Sequence, residues 1–191
     1  METDEKILAK LNTSTEYNTW LVKRDSFIFV RKELPLAQYE TMETFYSLRS
    51  KISSDFIVNI YNVSATEDLC LIEEEWITGT TIAEYLDKGL PFSSDETRQY
   101  GIEICRALCW FHIHHMVFRD LKPSNVIISN SGHAVLIDPG ILRLRKPNQN
   151  KDTVILGTPG YAAPEQYGFL QTDHRTDIYA LGVLLNNMLT C

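Results

Sequence analysis

The 191-residue chain contains no run of about 20 apolar residues, so its sequence offers no membrane-spanning helix. No basic leader followed by a short apolar stretch opens it, and the expectation is a cytoplasmic protein. Basic charge is in deficit: 18 Lys and Arg stand against 25 Asp and Glu, for a net charge of -7. That balance argues against a nucleic-acid or anionic-membrane surface. Cysteine is sparse. Cys70, Cys105, Cys109 and Cys191 form no CxxC array. Cys105 and Cys109, four apart on one predicted helix, read as reduced core thiols rather than a metal or redox pair. No internal repeat or low-complexity stretch is evident. The length suits one domain, or two small lobes sharing a cleft. Folding at this size buries roughly 70% of the unfolded surface.

What is present centres on Phe118-Arg119-Asp120-Leu121-Lys122-Pro123-Ser124-Asn125. An acid, a cation two residues on and a carboxamide five residues on stand at fixed offsets. Val117 precedes this stretch and Val126-Ile127-Ile128 follows it, so it reads as a polar loop between a helix and a short buried strand. Pro123 lacks an amide proton and disfavours helical geometry at Lys122, so the preceding helix cannot run on. Asp138-Pro139-Gly140 follows the next apolar run. Two carboxylate-bearing loops thus end neighbouring strands, as a site for Mg²⁺ and phosphate requires.

Residues 1–80 read as short strands around one helix. Trp20 to Val22 and Phe27 to Val30 are strand-like, turning at Arg24-Asp25-Ser26. Alternation puts Ile28, Val30 and Lys32 on one face. A lysine there is ordinarily a solvated strand end. A helical stretch runs from Pro35 to about Ser50, and strands are expected over Ile57 to Val63 and Leu69 to Trp76. Thr80 to Lys88 reads as a short helix ended by Gly89. Ser93 with Glu96 starts a longer helix to about His115, with a stripe of Tyr100, Ile104, Leu108 and Phe111. His112, His114 and His115 end it, and cations at a helix C-terminus suit the macrodipole better than they suit a metal site. Val126 to Ile128 and Ala134 to Ile137 form a hairpin turning at Asn130-Ser131-Gly132. Thr176 to Leu189 is an apolar helix.

The order and spacing of these polar groups resemble the eukaryotic-type protein kinases, with wording similar to the bacterial serine/threonine kinases. The matches are Asp120, Lys122 and Asn125, then Asp138 and Gly140, then Gly157-Thr158-Pro159-Gly160-Tyr161-Ala162-Ala163-Pro164-Glu165, then Asp177 to Gly182. The resemblance implies an α+β, bilobal protein-kinase-like fold over residues 1–191. A β-rich N-lobe covers about 1–76 and a helical C-lobe about 77–191, the latter without the family's last helices. It implies a serine/threonine kinase using ATP and Mg²⁺ on a protein substrate. Asp120 would orient the substrate hydroxyl and accept its proton, and Lys122 would stabilise the transferring phosphoryl group. Asn125 and Asp138 would hold Mg²⁺, and Lys32 the α/β-phosphates. The family pairs that lysine with a helix glutamate: Glu43 here, with Glu40 as the alternative. Glu73 to Gly79 resembles the hinge between lobes. Its backbone, at Glu75 and Ile77, would hold adenine, with Glu74 at the back of the pocket.

By the same resemblance residues 139–160 are an activation loop. Arg119 would pair with a phosphate carried there by Thr153, and Thr158 would pack against Asp120. Three departures stand out. Asn12, Ser14 and Tyr17 replace the glycines of the phosphate-covering loop. Phe118 replaces a His or Tyr, and Pro139 replaces a Phe. These departures support an alternative, a pseudokinase acting as a nucleotide-binding or scaffold module. Small-molecule kinases of related fold share the two aspartates and the asparagine. The Gly157 to Glu165 segment, however, is what protein-substrate kinases use to dock peptides.

Overall fold

The computed structural model describes residues 4–12, 18–139, 142–144, 157–167 and 172–190. They fall into two compact units: Met1–Ser53 with Val58–Ile77, and Ser54–Ile57 with Thr78–Cys191.

The first unit is an antiparallel sheet with one helix. Strands β1 (Glu5–Lys10), β2 (Thr19–Arg24), β3 (Phe27–Pro35), β4 (Ile60–Ala65) and β5 (Leu69–Glu75) lie in the order β1-β2-β3-β5-β4. The β2–β3 turn falls at Asp25, which takes a left-handed backbone (φ 54°) that Asp tolerates better than most residues. Val30, Cys70 and Ile72 are buried on one face of the sheet, and Val22 and Phe29 on the other. Helix α1 (Tyr39–Arg49) follows a 3₁₀ turn at Leu36–Gln38 and turns Met42, Phe45 and Arg49 inward. Burying Met42 and Phe45 contributes about 1.5–3 kcal/mol each. The Arg49 guanidinium donates to the Ile52 carbonyl at 3.0 Å and to Asn59 Oδ1 at 2.6 Å, which fastens the end of α1 to the approach to β4.

Strand β1 is exposed along its whole length and carries no apolar pattern that singles it out. Its backbone ladder with β2 is reinforced by charge. Glu5 takes 2.6 and 2.9 Å hydrogen bonds from Arg31 and a 3.0 Å bond from Arg24, and both arginines also reach Glu73. The two guanidinium groups lie 4.7 and 5.4 Å from the ring centre of Phe29. Hydrogen bonds from Arg31 lead the causes that hold Glu5 at a pKa of about 2, against an ordinary 4.5. A carboxyl depressed on folding adds stability above its unfolded pKa and loses it as pH falls through the folded value. The contribution is therefore complete above about pH 4.5 and disappears towards pH 2. Glu5→Gln should lower the melting temperature at pH 7, and the difference from wild type should vanish by pH 2. A pH-independent difference would refute this linkage.

The second unit carries β6 (Gly79–Thr81), α2 (Ile82–Leu86), α3 (Ser94–Ile113), β7 (Met116–Val117), β8 (Val126–Ser129), β9 (Ala134–Leu136), β10 (Arg143–Leu144) and α4 (His174–Thr190). Both α2 and α3 open with complete capping boxes, Thr81 with Glu84 and Ser93 with Glu96. Gly79 is required by packing, because a Cβ there would collide with the Ile128 carbonyl of the adjacent strand β8. Helix α3 buries Ile104, Leu108 and Phe111, and α4 buries Asp177, Leu181, Leu184 and Met188. The helices meet closely at Gly101, where an added Cβ would stand 3.0 Å from the Leu185 side chain.

The cysteine reading needs correction. Cys70 is buried, but Cys105 and Cys109 are exposed on the outer side of α3, and all three are free thiols. The histidines are spent on structure: His112 Nε2 meets Asp177 Oδ2 at 2.7 Å, and His114 Nδ1 meets the Trp110 carbonyl at 2.6 Å. No helix among the described residues is long and apolar enough to cross a membrane.

Candidate active site

The Phe118–Asn125 loop is built from its flanks inward. Helix α3 ends at Ile113, and His115 takes a left-handed turn (φ 59°) into β7. Phe118 is buried, with its ring centre 5.4 Å from that of Phe111. The aromatic at this position therefore serves as apolar packing. Beyond it the backbone reverses: Arg119 has a φ of 68°, a conformation that costs a non-glycine residue about 1 kcal/mol or more. Asp177, fully buried on α4, holds that reversal. Its Oδ2 accepts the Phe118 amide at 3.0 Å and its Oδ1 the Arg119 amide at 2.8 Å. Gln166 braces the other side, donating 2.8 Å to the Arg119 carbonyl while its Oε1 accepts the Ala163 amide at 3.0 Å. Gly157 (φ 144°) must be glycine here, since a Cβ would lie 2.8 Å from Gln166 Nε2 and 2.7 Å from the Ala162 Cβ.

The reversed loop presents Asp120 within a closed polar cluster. Its Oδ1 accepts the Thr158 hydroxyl at 2.7 Å. Its Oδ2 lies 2.8 Å from Lys122 Nζ and accepts Asn125 Nδ2 at 3.0 Å. Lys122 also donates to Thr158 Oγ1 at 3.0 Å, and Asn125 Nδ2 to the Asp120 carbonyl at 2.9 Å. Cation, carboxamide and hydroxyl thus all lie within hydrogen-bond reach of the acid, although Thr158 is 38 residues from Asp120.

The β8–β9 hairpin adds the second carboxylate. Its register pairs Val126 with Leu136, and the Ile137 amide donates to the Asn125 carbonyl at 3.0 Å. Asp138 therefore follows directly beside Asn125, half-buried and in a left-handed backbone (φ 63°). Glu103 of α3 anchors the hairpin by accepting the Ala134 amide at 2.7 Å and meeting His133 Nδ1 at 3.0 Å. Among the described residues no group of three or more His, Cys, Asp and Glu side chains could hold a metal ion. The Asn125–Asp138 pair is still a fitting donor set for Mg²⁺. That ion takes hard oxygen ligands, one or two carboxylates, and completes its shell with water and phosphate.

In the first unit Lys32 lies on the face of Val30, as alternation predicts, and is buried there, whereas Ile28 on the same face is exposed. The partner assigned to Lys32 is corrected. Glu43 and Glu40 are exposed on α1, whereas Lys32 Nζ lies 2.7 Å from Glu74 Oε1. The reason is the inward face of α1, set by Met42, Phe45 and Arg49. At 100° per residue Glu43 points about 130° away from it and Glu40 nearly opposite. At the end of β5 Asn59 ties down Glu75, accepting its amide at 2.9 Å and donating to its carboxylate at 2.7 Å. Ile77, which follows, is half-buried.

Asn12 Oδ1 accepts the Thr19 amide at 3.0 Å and so closes the β1–β2 connection. Ser14 and Tyr17, Gly140, and Arg145 to Ile155 with Thr153 among them lie outside the described residues.

A family model described as the protein kinase domain matches residues 21–191. The chain belongs to the protein kinase family. Among the curated relatives of this kinase domain is the cAMP-dependent protein kinase catalytic subunit of Dictyostelium discoideum. It is 34% identical over 154 residues, 81% of this chain and 23% of the relative. A probable serine/threonine-protein kinase PknB of Lactococcus lactis is 31% identical over 163 residues, 85% and 26% of the two chains. Serine/threonine-protein kinase Sgk3 of Mus musculus is 29% identical over 184 residues, 96% and 36%. The kinase domain thus spans about a quarter to a third of the length of these relatives.

Sequence reasoning missed two residues that shape the kinase loop, Gln166 and Asp177. Asp177 stood in a matched motif without a role. Two successive amides turned towards one carboxylate become apparent only once α4 is packed.

Proposed function

We propose that this kinase domain transfers the γ-phosphoryl group of ATP to serine or threonine hydroxyls of a protein substrate, in the cytoplasm and with Mg²⁺. The observation that carries the reading is the closed cluster of Asp120, Lys122, Thr158 and Asn125. Phosphoryl transfer asks chiefly for positioning and charge neutralisation, and these residues are arranged for both.

Asp120 orients the substrate hydroxyl and accepts its proton. A bond forms between the hydroxyl oxygen and the γ-phosphorus, the bond from that phosphorus to the β,γ-bridging oxygen breaks, and ADP departs. Lys122, held beside Asp120, neutralises charge on the group in transit. Thr158 limits the rotation of Asp120 by occupying Oδ1. Asn125 and Asp138 would hold Mg²⁺, which when bound offsets phosphate charge. Lys32 would bind the α/β-phosphates, with Glu75 and Ile77 contributing backbone to adenine. Lysine in Asp-Leu-Lys-Pro, together with relatives named serine/threonine kinases, supports that hydroxyl class. Arg119 and Thr153 remain the proposed pair for control by phosphorylation.

The test is Mg²⁺-dependent ATP binding followed by transfer to a generic basic protein. Binding and transfer that both require Mg²⁺ support the reading. Saturable ATP binding with no transfer would replace it with the pseudokinase alternative.

A further inference from the structure

Lys32 and Glu74 form a buried ion pair at 2.7 Å, with side chains only 7% and 4% exposed. Strands β3 and β5 are both internal to the sheet, so each is hydrogen-bonded along two edges. Their register sets Val30 opposite Glu74 and Lys32 opposite Ile72. Lys32 and Glu74 are thus diagonal neighbours on one face, within reach of long side chains. A one-residue slip of either strand would put the two side chains on opposite faces, and the burial of Val30, Cys70 and Ile72 on this face opposes it.

We propose that Glu74 is the positioning residue of Lys32, so that sheet register rather than α1 orients this ammonium. The inference rests on the kinase reading for its catalytic meaning and on geometry alone for the pair. An ammonium has three donors and no acceptor. Glu74 holds one of these donors and so constrains the direction of the ammonium. A lysine whose carboxylate partner sits on a helix can be unhooked by moving that helix. Here both partners belong to one hydrogen-bonded sheet, so a shift of α1 leaves the pair intact.

The experiment uses the full chain and has two readouts. The first is a double-mutant cycle in unfolding between Lys32→Met and Glu74→Gln, with a parallel cycle between Lys32→Met and Glu43→Ala. Coupling in the first cycle should change the unfolding constant by about tenfold or more, and in the second by no more than about twofold. Breaking a buried pair leaves an uncompensated charge, so the Lys32→Met/Glu74→Gln double variant should be more stable than Glu74→Gln alone. That comparison holds even if the single variant barely folds. The second readout is kinetic: Glu74→Gln should lower kcat/KM for Mg²⁺-ATP about tenfold or more, and Glu74→Asp should recover part of it.

Coupling with Glu43 instead of Glu74 overturns the proposal. So does a Glu74→Gln variant that transfers phosphate as fast as wild type or faster, since Glu74 would then be dispensable or a restraint. A wild type that transfers nothing while the Lys32–Glu74 coupling persists refutes the kinase reading and supports the pair.

Discussion

Asp120→Asn should lower phosphate transfer by about 10²–10⁴-fold, the usual contribution of a positioned general base. The carboxamide matches the carboxylate in shape but cannot accept the substrate's proton. It also offers one oxygen where the carboxylate offers two, while three donors converge on the site from Thr158, Lys122 and Asn125. At least one of these contacts is lost, at a stability cost of about 1 kcal/mol. The folded state survives that loss, so initial rates at saturating Mg²⁺-ATP compare two folded proteins. A variant retaining a tenth or more of wild-type transfer would remove Asp120 from the role of base.

Asp177→Ala should damage the fold itself. The carboxylate is fully buried and accepts from Phe118, Arg119 and His112. Its removal leaves two buried amides without this acceptor, at about 1–3 kcal/mol each. It also releases the left-handed Arg119 that those bonds hold in place. Against a total stability of about 5–15 kcal/mol this loss is large. The melting temperature should fall by more than about 8 °C. Gln166 would still brace the other side of the loop, but with the Asp177 bonds gone transfer should fall as well. A variant melting within a degree or two of wild type would show that the loop holds its shape without Asp177.

Much of this was legible in the sequence because it is local. The Ser93–Glu96 capping box needs only a three-residue offset. The shared face of Val30 and Lys32 follows from strand alternation, and the hairpin at Asn130–Gly132 from its turn residues. The Asp120, Lys122 and Asn125 offsets announced a cluster, and these residues do contact one another. What escaped depends on contacts distant in sequence. The Glu74 partnership follows from β3–β5 register, which no residue of either strand reveals alone. The bonds of Asp177 span 58 and 59 residues. Strand β1 escaped because it buries nothing; its ladder with β2 and the Glu5–Arg24–Arg31 network hold it. Cys105 and Cys109 are apolar by composition yet lie outside the stripe of α3, so residue type misjudged their exposure.

The most direct measurement is mass spectrometry of phosphate transferred from Mg²⁺-ATP onto a generic basic protein and onto the chain itself, with Asp120→Asn in parallel. The account predicts phosphate on serine and threonine that requires Mg²⁺ and disappears in the variant. No transfer by folded wild type at saturating Mg²⁺-ATP, or equal transfer by the variant, would contradict it.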